Sequence, residues 1–401
     1  MLEETTGKSF PLTPHQLEGL QALIDREING EQFFLLKGSA GTGKTTLVTN
    51  YCDHLRKSRR VLLTAPTHKA AEVLRKNSVV ECATLHSFLR MERVFNRDTR
   101  SYEFTYDPEV ELKEIDELIV DEASMVGSKM LGYITQAAIT HKFNVIFVGD
   151  EKQLNPVNEL HSLVFHSAIT EFELTEIIRH QNDIISLSRN LHWLTEKKNG
   201  ECFEWLDPRS LDLGALVEAN GSDAAKFITW TNRSVGAINS QIRNEIYGQP
   251  EQFETGETIL LTSSFSGVSD GYEYANNQEI LVNNVTDSHV WFDKAPVPFK
   301  SIDTFLINDN LQAVNDSGMK KHTANIEYLT TEKKWRLLAD YKELFLKYQH
   351  NHAITVHRSQ GSTYGTAFIN VSEISRNRNK AEKERMLYTA ITRASKKDYL
   401  V

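Results

Sequence analysis

A short glycine-rich run holds the residues whose types and spacing most directly indicate chemistry. Residues 38–45 read Gly-Ser-Ala-Gly-Thr-Gly-Lys-Thr, the G-x-x-x-x-G-K-T pattern, with an apolar run before it and a helical pattern after it. In that context backbone N–H groups wrap phosphates, and the helix N-terminus adds a positive dipole end. A chance match in a glycine-rich turn is the alternative, and both flanks disfavour it. The predicted nucleotide contacts are Gly38, Ala40, Gly41, Thr42, Gly43, Lys44, Thr45 and Thr46.

Two acidic residues, Asp121 and Glu122, follow the apolar pair Ile119-Val120. Acidic pairs at strand ends are usually solvated, but a phosphate loop upstream favours a hydrolytic role. Lys44 would reach the β- and γ-phosphates, and Asp121 with the Thr45 hydroxyl would hold Mg²⁺. Glu122 would polarise the attacking water. The residues therefore predict ATP hydrolysis with Mg²⁺ as the metal.

The elements that position these residues alternate in type. Short β-rich runs alternate with helical patterns, which predicts a parallel sheet. In the first half the predicted strands are 33–37, 60–64, 117–121 and 144–149, with helices at 45–57 and 68–75 and a hairpin at 92–107. In the second half they are strands 226–230, 353–355 and 366–371, with helices 235–247, 332–347 and 381–390. Between them, short β runs over 251–315 predict a small inserted barrel.

Composition limits the possible classes of protein. The 401 residues are 40% hydrophobic and 25% charged, which excludes disordered and collagen-like chains. At roughly 150 residues per domain, the length indicates about two to four domains. The apolar runs are too short to span a bilayer, the first residues do not resemble a signal peptide, and the three cysteines form no C-x-x-C pair. We therefore expect a cytoplasmic protein without a membrane partner.

The charge is acidic overall and uneven along the chain. There are 45 Lys and Arg against 54 Asp and Glu, a net charge of −9. The electric field of a negatively charged protein repels nucleic acid, which disfavours a histone-like nucleic-acid binder. Residues 355–401, however, hold nine basic and four acidic side chains, a local balance of 9 − 4 = +5. This distribution favours a strand threaded between domains over one held anywhere on the surface.

Eight motifs, read in order, resemble those of superfamily 1 helicases, in the subgroup that contains RecD and Dda. They extend over nearly the whole chain. The motifs are residues 12–16 (Leu-Thr-Pro-His-Gln), 64–71 (Thr-Ala-Pro-Thr-His-Lys-Ala-Ala), 84–88 (Thr-Leu-His-Ser-Phe), 121–125 (Asp-Glu-Ala-Ser-Met), 148–157, 174–179, 355–363 and 387–394.

The resemblance implies an α/β fold with two RecA-like parallel-sheet cores. A β-hairpin (the pin) would be inserted in the first core, and an SH3-like β-barrel in the second. The implied boundaries are 1–88 and 117–169 for core 1, 89–116 for the pin, 170–250 and 350–401 for core 2, and 251–349 for the barrel with its following helix.

The resemblance also implies roles for four polar residues. Gln16 would read the adenine, and Gln153 would sense the γ-phosphate. Arg179 and Arg393 would be arginine fingers, although in isolation each could be a surface or ion-paired arginine. Arginines so far along the chain can reach a γ-phosphate only if a second core closes over the first.

Polar loops after strands supply the predicted DNA contacts, because hydroxyls, amides and basic groups can meet a phosphate backbone there. Thr84 could instead be a helix cap, and His86 and Trp335 could be core residues. Arg358 stands where the family usually has lysine, a change that keeps the positive charge and alters the hydrogen-bond geometry. The predicted contacts are Pro66, Thr67, His68, Lys69, Thr84, His86, Asn155, Asn232, His357, Arg358, Ser359 and Trp335.

The hairpin at 92–107 stands where relatives carry the pin that splits the duplex. An aromatic side chain there could stack on the last base pair. Tyr102 and Phe104 are the first candidates for this wedge and Phe95 the third. The alternative is that these rings pack the hairpin onto its own core.

The predicted activity is that of an ATP-dependent DNA helicase that moves 5′→3′ on single-stranded DNA and unwinds duplex. One alternative is a translocase that displaces bound proteins or remodels forks without sustained unwinding. A P-loop kinase or a passive single-strand-binding module is another. The subgroup also suggests fork DNA and replication or single-strand-binding proteins as partners, a chain competent as a monomer, and DNA replication or recombination in a bacterium or a phage-infected cell.

Overall fold

The structure is a computed structural model that describes residues 11–176, 178, 203–207, 213, 225–269 and 272–401. The chain forms two compact units. The first contains the residues up to 91 together with 106–238 and 352–401, and the second contains 92–105 and 239–351. No helix in the described ranges is long and apolar enough to cross a membrane.

The first unit begins with a six-stranded parallel sheet in the order β3-β2-β6-β7-β1-β8, which we call the first core together with its helices. Its elements, with the β4–β5 hairpin that interrupts them, are α1 (Pro14–Ile28), β1 (Phe33–Gly38), α2 (Lys44–Leu55), β2 (Val61–Ala65), α3 (His68–Asn77), β3 (Glu81–Thr84), α4 (Leu85–Phe88), β4 (Glu92–Asn96), β5 (Ser101–Thr105), β6 (Glu117–Val120), α5 (Ser128–His141), β7 (Asn144–Gly149) and β8 (Thr170–Leu174).

The central strands of this sheet are apolar on both faces. Along β7, Ile146 and Val148 pack in one hydrophobic cluster, whereas Val145 and Phe147 pack in another. Side chains alternate across a strand, so continuous apolar strands need cover on both faces, and helices supply it. The strands predicted at 33–37, 60–64, 117–121 and 144–149 are confirmed within one residue at each end.

Two predicted boundaries of the first core are wrong. Strand β8 pairs in parallel with β1, and Leu174 packs in the first core, so residues 170–174 do not begin the second core. Similarly, Tyr106, Leu112 and Ile115 are buried in the first core. The hairpin insertion is therefore shorter than the predicted 89–116, because apolar residues after β5 return to the core.

A second parallel sheet, the second core, completes the first unit with the strand order β19-β10-β20-β21-β9. The elements from residue 203 onward are β9 (Phe203–Trp205), β10 (Ala225–Thr229), α6 (Asn232–Tyr247), β11 (Thr258–Leu261), β12 (Phe265–Ser266), β13 (Glu273–Tyr274), β14 (Glu279–Leu281), β15 (Val285–Trp291), β16 (Ser301–Ile307), β17 (Leu311–Val314), α7 (Asp316–Thr331), α8 (Trp335–Glu343), β18 (Tyr348–His350), β19 (Ala353–Thr355), α9 (Val356–Ser359), β20 (Tyr364–Ile369), α10 (Val371–Ile374), α11 (Lys380–Ile391) and β21 (Ala394–Leu400).

The second unit is built on small antiparallel sheets, β14-β11-β18, β12-β13 and β15-β16-β17. The insertion is thus rich in β structure, as predicted. The single helix predicted at 332–347 is wrong. Lys333 has a left-handed backbone with φ of 53°, which separates α7 from α8, and Tyr348 returns to the sheet opposite Leu261.

The hairpin of β4 and β5 lies against α8 inside this second unit. The Tyr102 hydroxyl donates to Asp340 Oδ1 at 2.7 Å, and Arg93 forms an ion pair with Glu343. The Arg100 guanidinium lies 4.1 Å from the centre of the Trp335 ring. Three separate contacts therefore fix the hairpin on the helix that follows the β insertion.

Candidate active site

The phosphate loop links β1 to α2 and depends on glycine for its shape. Gly41 and Gly43 have left-handed backbones with φ of 82° and 80°. A Cβ on Gly43 would lie 2.2 Å from Gln16 Nε2, so a larger residue would displace the Gln16 amide as well as strain the backbone. Lys44 Nζ donates to the carbonyl oxygens of Gly38 at 2.7 Å and Ser39 at 3.1 Å. The ammonium group is thus held within the loop that is predicted to bind phosphate.

The acidic pair lies at the end of β6, in the same cavity as Lys44. Desolvation and the neighbouring Glu122 carboxylate raise the pKa of Asp121 above its ordinary value, and Lys44 opposes the shift. Glu122 itself has a left-handed backbone with φ of 53°. Such a backbone costs about 1 kcal/mol or more for a residue other than glycine, and it is common where side chains are aimed for function.

The donor set near Lys44 fits Mg²⁺. This ion takes oxygen ligands and usually combines one or two carboxylates with phosphate oxygens and water. The Asp121 carboxylate and the Thr45 hydroxyl both line the cavity and are of this kind. Across the described ranges no three His, Cys, Asp or Glu residues cluster as metal ligands, so Mg²⁺ held here would take its other oxygens from nucleotide and water.

Gln16 lies in the first turn of α1 and contacts the phosphate loop. Its Oε1 accepts from the Thr13 backbone N–H at 3.1 Å, while Thr13 Oγ1 accepts from the Gln16 backbone N–H, which is a capping box. Its Nε2 donates to Thr42 O at 3.3 Å. Gln16 is buried and lines the cavity, so it ties the first helix to the loop. Its role in reading adenine stays a prediction.

One cavity of about 450 Å³ joins the two cores, and we call it the nucleotide cleft. Arg393 enters it from the second core and is buried. Its guanidinium donates to the carbonyl oxygens of Thr389 at 3.1 Å and Ser362 at 3.2 Å. Within the described part of the chain it forms no ion pair. The other predicted finger, Arg179, lies outside the described residues. The cleft is lined by Pro11, Thr13, Gln16, Ala40, Gly41, Gly43, Lys44, Thr45, Thr46, Ala70, Val73, Leu74, Asp121, Glu122, Gly149, Gln153, Ile178, Gly361, Ser362, Thr363, Thr392 and Arg393.

The two cores meet closely at the wall of this cleft. Gly361 has a left-handed backbone with φ of 72°, and a Cβ there would lie 2.9 Å from the Ala70 Cβ. Gly361 belongs to the motif at 355–363, but its position against Ala70 was not predicted. The sequence signals this position by placing a glycine after Gln360, since glycine permits both the left-handed backbone and the close approach to Ala70.

Gln153 reaches the cleft from the turn after β7. It is buried, and among the described residues its Oε1 finds no hydrogen-bond partner. A buried polar atom without a partner is costly and marks a position that a ligand or water can satisfy. This placement fits a group that senses a bound phosphate through its amide, with Lys44 and Arg393 lining the same cleft.

The predicted DNA contacts of the first core lie at the carboxyl edge of its sheet. Strands β2 and β3 are neighbours that end with Ala65 opposite Thr84. Thr67 and Thr84 both cap helices, accepting from the backbone N–H of Ala70 and Ser87. These strand ends are followed by the other predicted contacts, Pro66, His68, Lys69 and His86. Partial burial, together with the nearby His68, lowers the pKa of His86.

The second core repeats this arrangement. Strands β10 and β19 are neighbours, with Thr229 opposite Thr355. Thr355 caps α9 by accepting from Arg358 N. Burial lowers the pKa of His357, which therefore offers a neutral ring. The ends of these adjacent strands are thus followed by the predicted contacts Asn232, His357, Arg358 and Ser359. The Ser359 hydroxyl, however, is buried and donates to Val356 O.

The remaining predicted residues are held by protein contacts. The Asn155 side chain donates to Leu160 O within its own loop. In the hairpin, Phe95 and Tyr102 pack edge to face with ring centres 5.4 Å apart. Phe104, two residues from Tyr102 on the same strand, is 40% exposed. Phe95 and Tyr102 therefore pack against each other, whereas part of the Phe104 ring remains at the surface.

Comparison with known proteins identifies the family. A model described as an AAA domain matches residues 11–211, half of the chain, and one described as a UvrD-like helicase C-terminal domain matches 350–401. The ATP-dependent DNA helicase dda of Enterobacteria phage T4 is 28% identical over 56% of this chain and 55% of that protein. The RecBCD enzyme subunit RecD of Buchnera aphidicola is 26% identical over 96% of this chain and 72% of that protein.

A solved structure shows the same fold. The Pif1 helicase from Bacteroides in complex with ADP-AlF3 and ssDNA has a TM-score of 0.56 and 18% identity. The alignment covers 98% of this chain and 92% of that one. This agreement confirms the predicted α/β fold with parallel-sheet cores.

Proposed function

The chain belongs to the AAA domain family, as a superfamily 1 helicase of the RecD, Dda and Pif1 type, and from this we propose that it is an ATP-dependent DNA helicase that moves 5′→3′ on single-stranded DNA. The nucleotide cleft is the observation that carries the proposal. It places Lys44 and Glu122 of the first core in one cavity with Arg393 of the second. A site shared by two cores can convert hydrolysis into movement between them.

The residues divide the work of hydrolysis. Bound MgATP supplies the phosphoanhydride bond that is cleaved. Lys44 exchanges its two loop carbonyls for phosphate oxygens, which accept a charge-assisted hydrogen bond more strongly. Asp121 and Thr45 would hold Mg²⁺, which would neutralise phosphate charge, and Glu122 would accept the proton of the attacking water. Arg393, Gln153 and, by resemblance, Arg179 balance the negative charge that develops.

The DNA track supports movement along one strand. In each core the predicted contacts follow the carboxyl ends of two adjacent strands. Hydroxyl groups, backbone N–H groups and neutral histidines can bind phosphates without reading sequence. The 5′→3′ polarity rests on the RecD and Dda resemblance. We further propose that the enzyme acts as a monomer on fork DNA in the cytoplasm, in replication or recombination, alongside single-strand-binding proteins.

A translocase without sustained unwinding is the second candidate, and the hairpin supports it. Residues 97–100 at its tip are Arg-Asp-Thr-Arg, with no apolar side chain to enter a base stack. Opposite partners on two strands share a face, so Phe95, Tyr102, Phe104 and Arg93 lie on one side of the hairpin. That is the side whose Tyr102 and Arg93 contact α8.

An ATPase assay with and without an oligo(dT) strand, followed by forks of each polarity, tests the proposal. We expect hydrolysis that single-stranded DNA stimulates, and faster unwinding of a fork with a 5′ tail. Lys44→Ala is the inactive control. Stimulated hydrolysis with no unwinding of any fork would favour the translocase. Hydrolysis that DNA does not change would contradict both.

A further inference from the structure

Two side chains of α11 in the second core bind the turn of the first core that carries Gln153. Arg385 and Tyr388 are three residues apart and therefore lie on one face of the helix. Arg385 Nη1 donates to Gln153 O at 2.9 Å and also to Glu151 O. The Tyr388 hydroxyl donates to Asp150 Oδ2 at 2.7 Å. The second core thus binds the turn at three points, two of them on the main chain.

The hydroxyl of Tyr388 also reaches the phosphate loop. The Ala40 backbone N–H donates to it at 3.0 Å. The hydroxyl accepts from the loop and donates to Asp150, so one oxygen atom of the second core connects two separate segments of the first. Tyr388 is buried, and burial with the adjacent Asp150 raises the pKa of its phenol, so the proton that this bridge needs is retained.

Asp150 transmits this contact to the turn. Its Oδ1 accepts from the Lys152 backbone N–H at 3.0 Å, and its carbonyl oxygen accepts from the Gln153 N–H at 3.2 Å. The carboxylate is therefore shared between the turn and Tyr388. The partnerless Oε1 of Gln153 lies at the end of this turn, in the nucleotide cleft.

We propose that Tyr388 is a positioning residue for hydrolysis. Its hydroxyl aligns the phosphate loop with the Asp150–Gln153 turn only when the second core is closed. Closure of the second core then places Gln153 at the γ-phosphate. A movement of α11 would therefore change the rate of hydrolysis even if both arginine fingers stayed in position. The inference rests on the proposed function, because it concerns the same site.

Tyr388→Phe tests this role, because it keeps the ring and removes only the bridging oxygen. Tyr106→Phe is the matched control, since the Tyr106 hydroxyl is buried in the first core and has no hydrogen-bond partner within the described ranges. We expect Tyr388→Phe to lower kcat about 10-fold with saturating MgATP and oligo(dT). The KM for ATP and the Kd for MgADP should stay within about twofold, because only the aligned closed state is lost. Tyr106→Phe should change neither.

A second variant isolates the bridge. Asp150→Ala removes the acceptor of the Tyr388 proton and also the acceptor of the Lys152 N–H, so its kcat loss and that of Tyr388→Phe should be less than additive, because the two changes share the Tyr388–Asp150 hydrogen bond. An unchanged kcat in Tyr388→Phe, or an equal loss of MgADP affinity, would overturn the positioning role. Fully additive losses would overturn the bridge as well. Wild-type protein without DNA-stimulated ATPase would instead overturn the proposed function itself.

Discussion

The nucleotide cleft and the β4–β5 hairpin were both predicted from short sequence patterns, yet they are built differently. In the cleft, Lys44, Glu122 and Arg393 converge on one cavity from three distant segments. In the hairpin, Tyr102 is turned to Asp340 and Arg93 to Glu343 on a neighbouring helix. Residues of the cleft leave room for a ligand, whereas Arg93, Arg100 and Tyr102 of the hairpin already contact α8.

This difference shows what a motif can specify. A phosphate loop is defined by its own backbone, so spacing alone predicts its geometry. A hairpin on the surface takes its function from what it packs against, which its own sequence does not state. The following predictions test whether hydrolysis depends on the cleft and unwinding on the hairpin.

The largest effect is expected for Glu122→Gln in the cleft. The amide keeps the size of the side chain but cannot accept a proton from water, so kcat for ATP should fall by about 10²- to 10⁴-fold. Binding of MgADP, measured by fluorescence titration, should persist. Hydrolysis at more than a tenth of the wild-type rate would contradict the assignment of Glu122 as the base.

Gly361→Ala should have the next largest effect. The new Cβ would meet Ala70 Cβ at 2.9 Å, and a left-handed alanine costs roughly 1–2 kcal/mol. The cores should then close poorly, and DNA-stimulated kcat should drop by about 10-fold. Gly132→Ala is the control, since nothing lies within 4 Å of its Cβ and it stands inside α5.

Ala70→Gly sharpens that test. Added to Gly361→Ala, it removes the Cβ that the new methyl group meets, so part of the lost ATPase activity should return. If the double variant is no faster than Gly361→Ala alone, backbone strain at residue 361 rather than contact between the cores is responsible.

Phe104→Ala tests the hairpin directly. If the exposed part of this ring separates the strands, fork unwinding should slow by about 5- to 10-fold, in line with the roughly 1–3 kcal/mol of one base stack. The ATPase rate should not change. Val94→Ala is the matched control, because Val94 is also exposed but lies on the opposite face. Equal losses from both variants would indicate a general weakening of the hairpin.

Tyr102→Phe should have the smallest effect. It removes the hydrogen bond to Asp340 and leaves the ring on Phe95. Unwinding measured on the same fork should slow by about two- to fivefold, at an unchanged ATPase rate, as the hairpin loosens from α8. Asp340→Asn keeps an acceptor and should be milder; a stronger loss from that change would point to a role of the Asp340 charge.

Much of the first core could be predicted from sequence because apolar strands and the phosphate loop are local patterns. The assignment of β8 could not, since a half-exposed strand shows nothing of which sheet it joins. The turn at Lys333 was likewise missed, because a left-handed lysine carries no glycine or proline signal.

The candidate site divides in the same way. Lys44 and Asp121 follow from motif spacing. Arg385 and Tyr388 acquire their role only from the contact of α11 with the turn at residue 150. Both stand in or beside the motif at 387–394, so the sequence marks the region but not the partners.

The strand order of the two sheets has a consequence for synthesis on the ribosome. All strands of the first sheet lie between residues 33 and 174. In the second sheet, the described partners of β9 and β10 are all strands that begin at residue 353 or later. The nascent chain can therefore form its phosphate loop early, whereas β10 is completed 353 − 229 = 124 residues before the first of its described partner strands begins. During that interval the unpaired edges of these strands can associate with other chains.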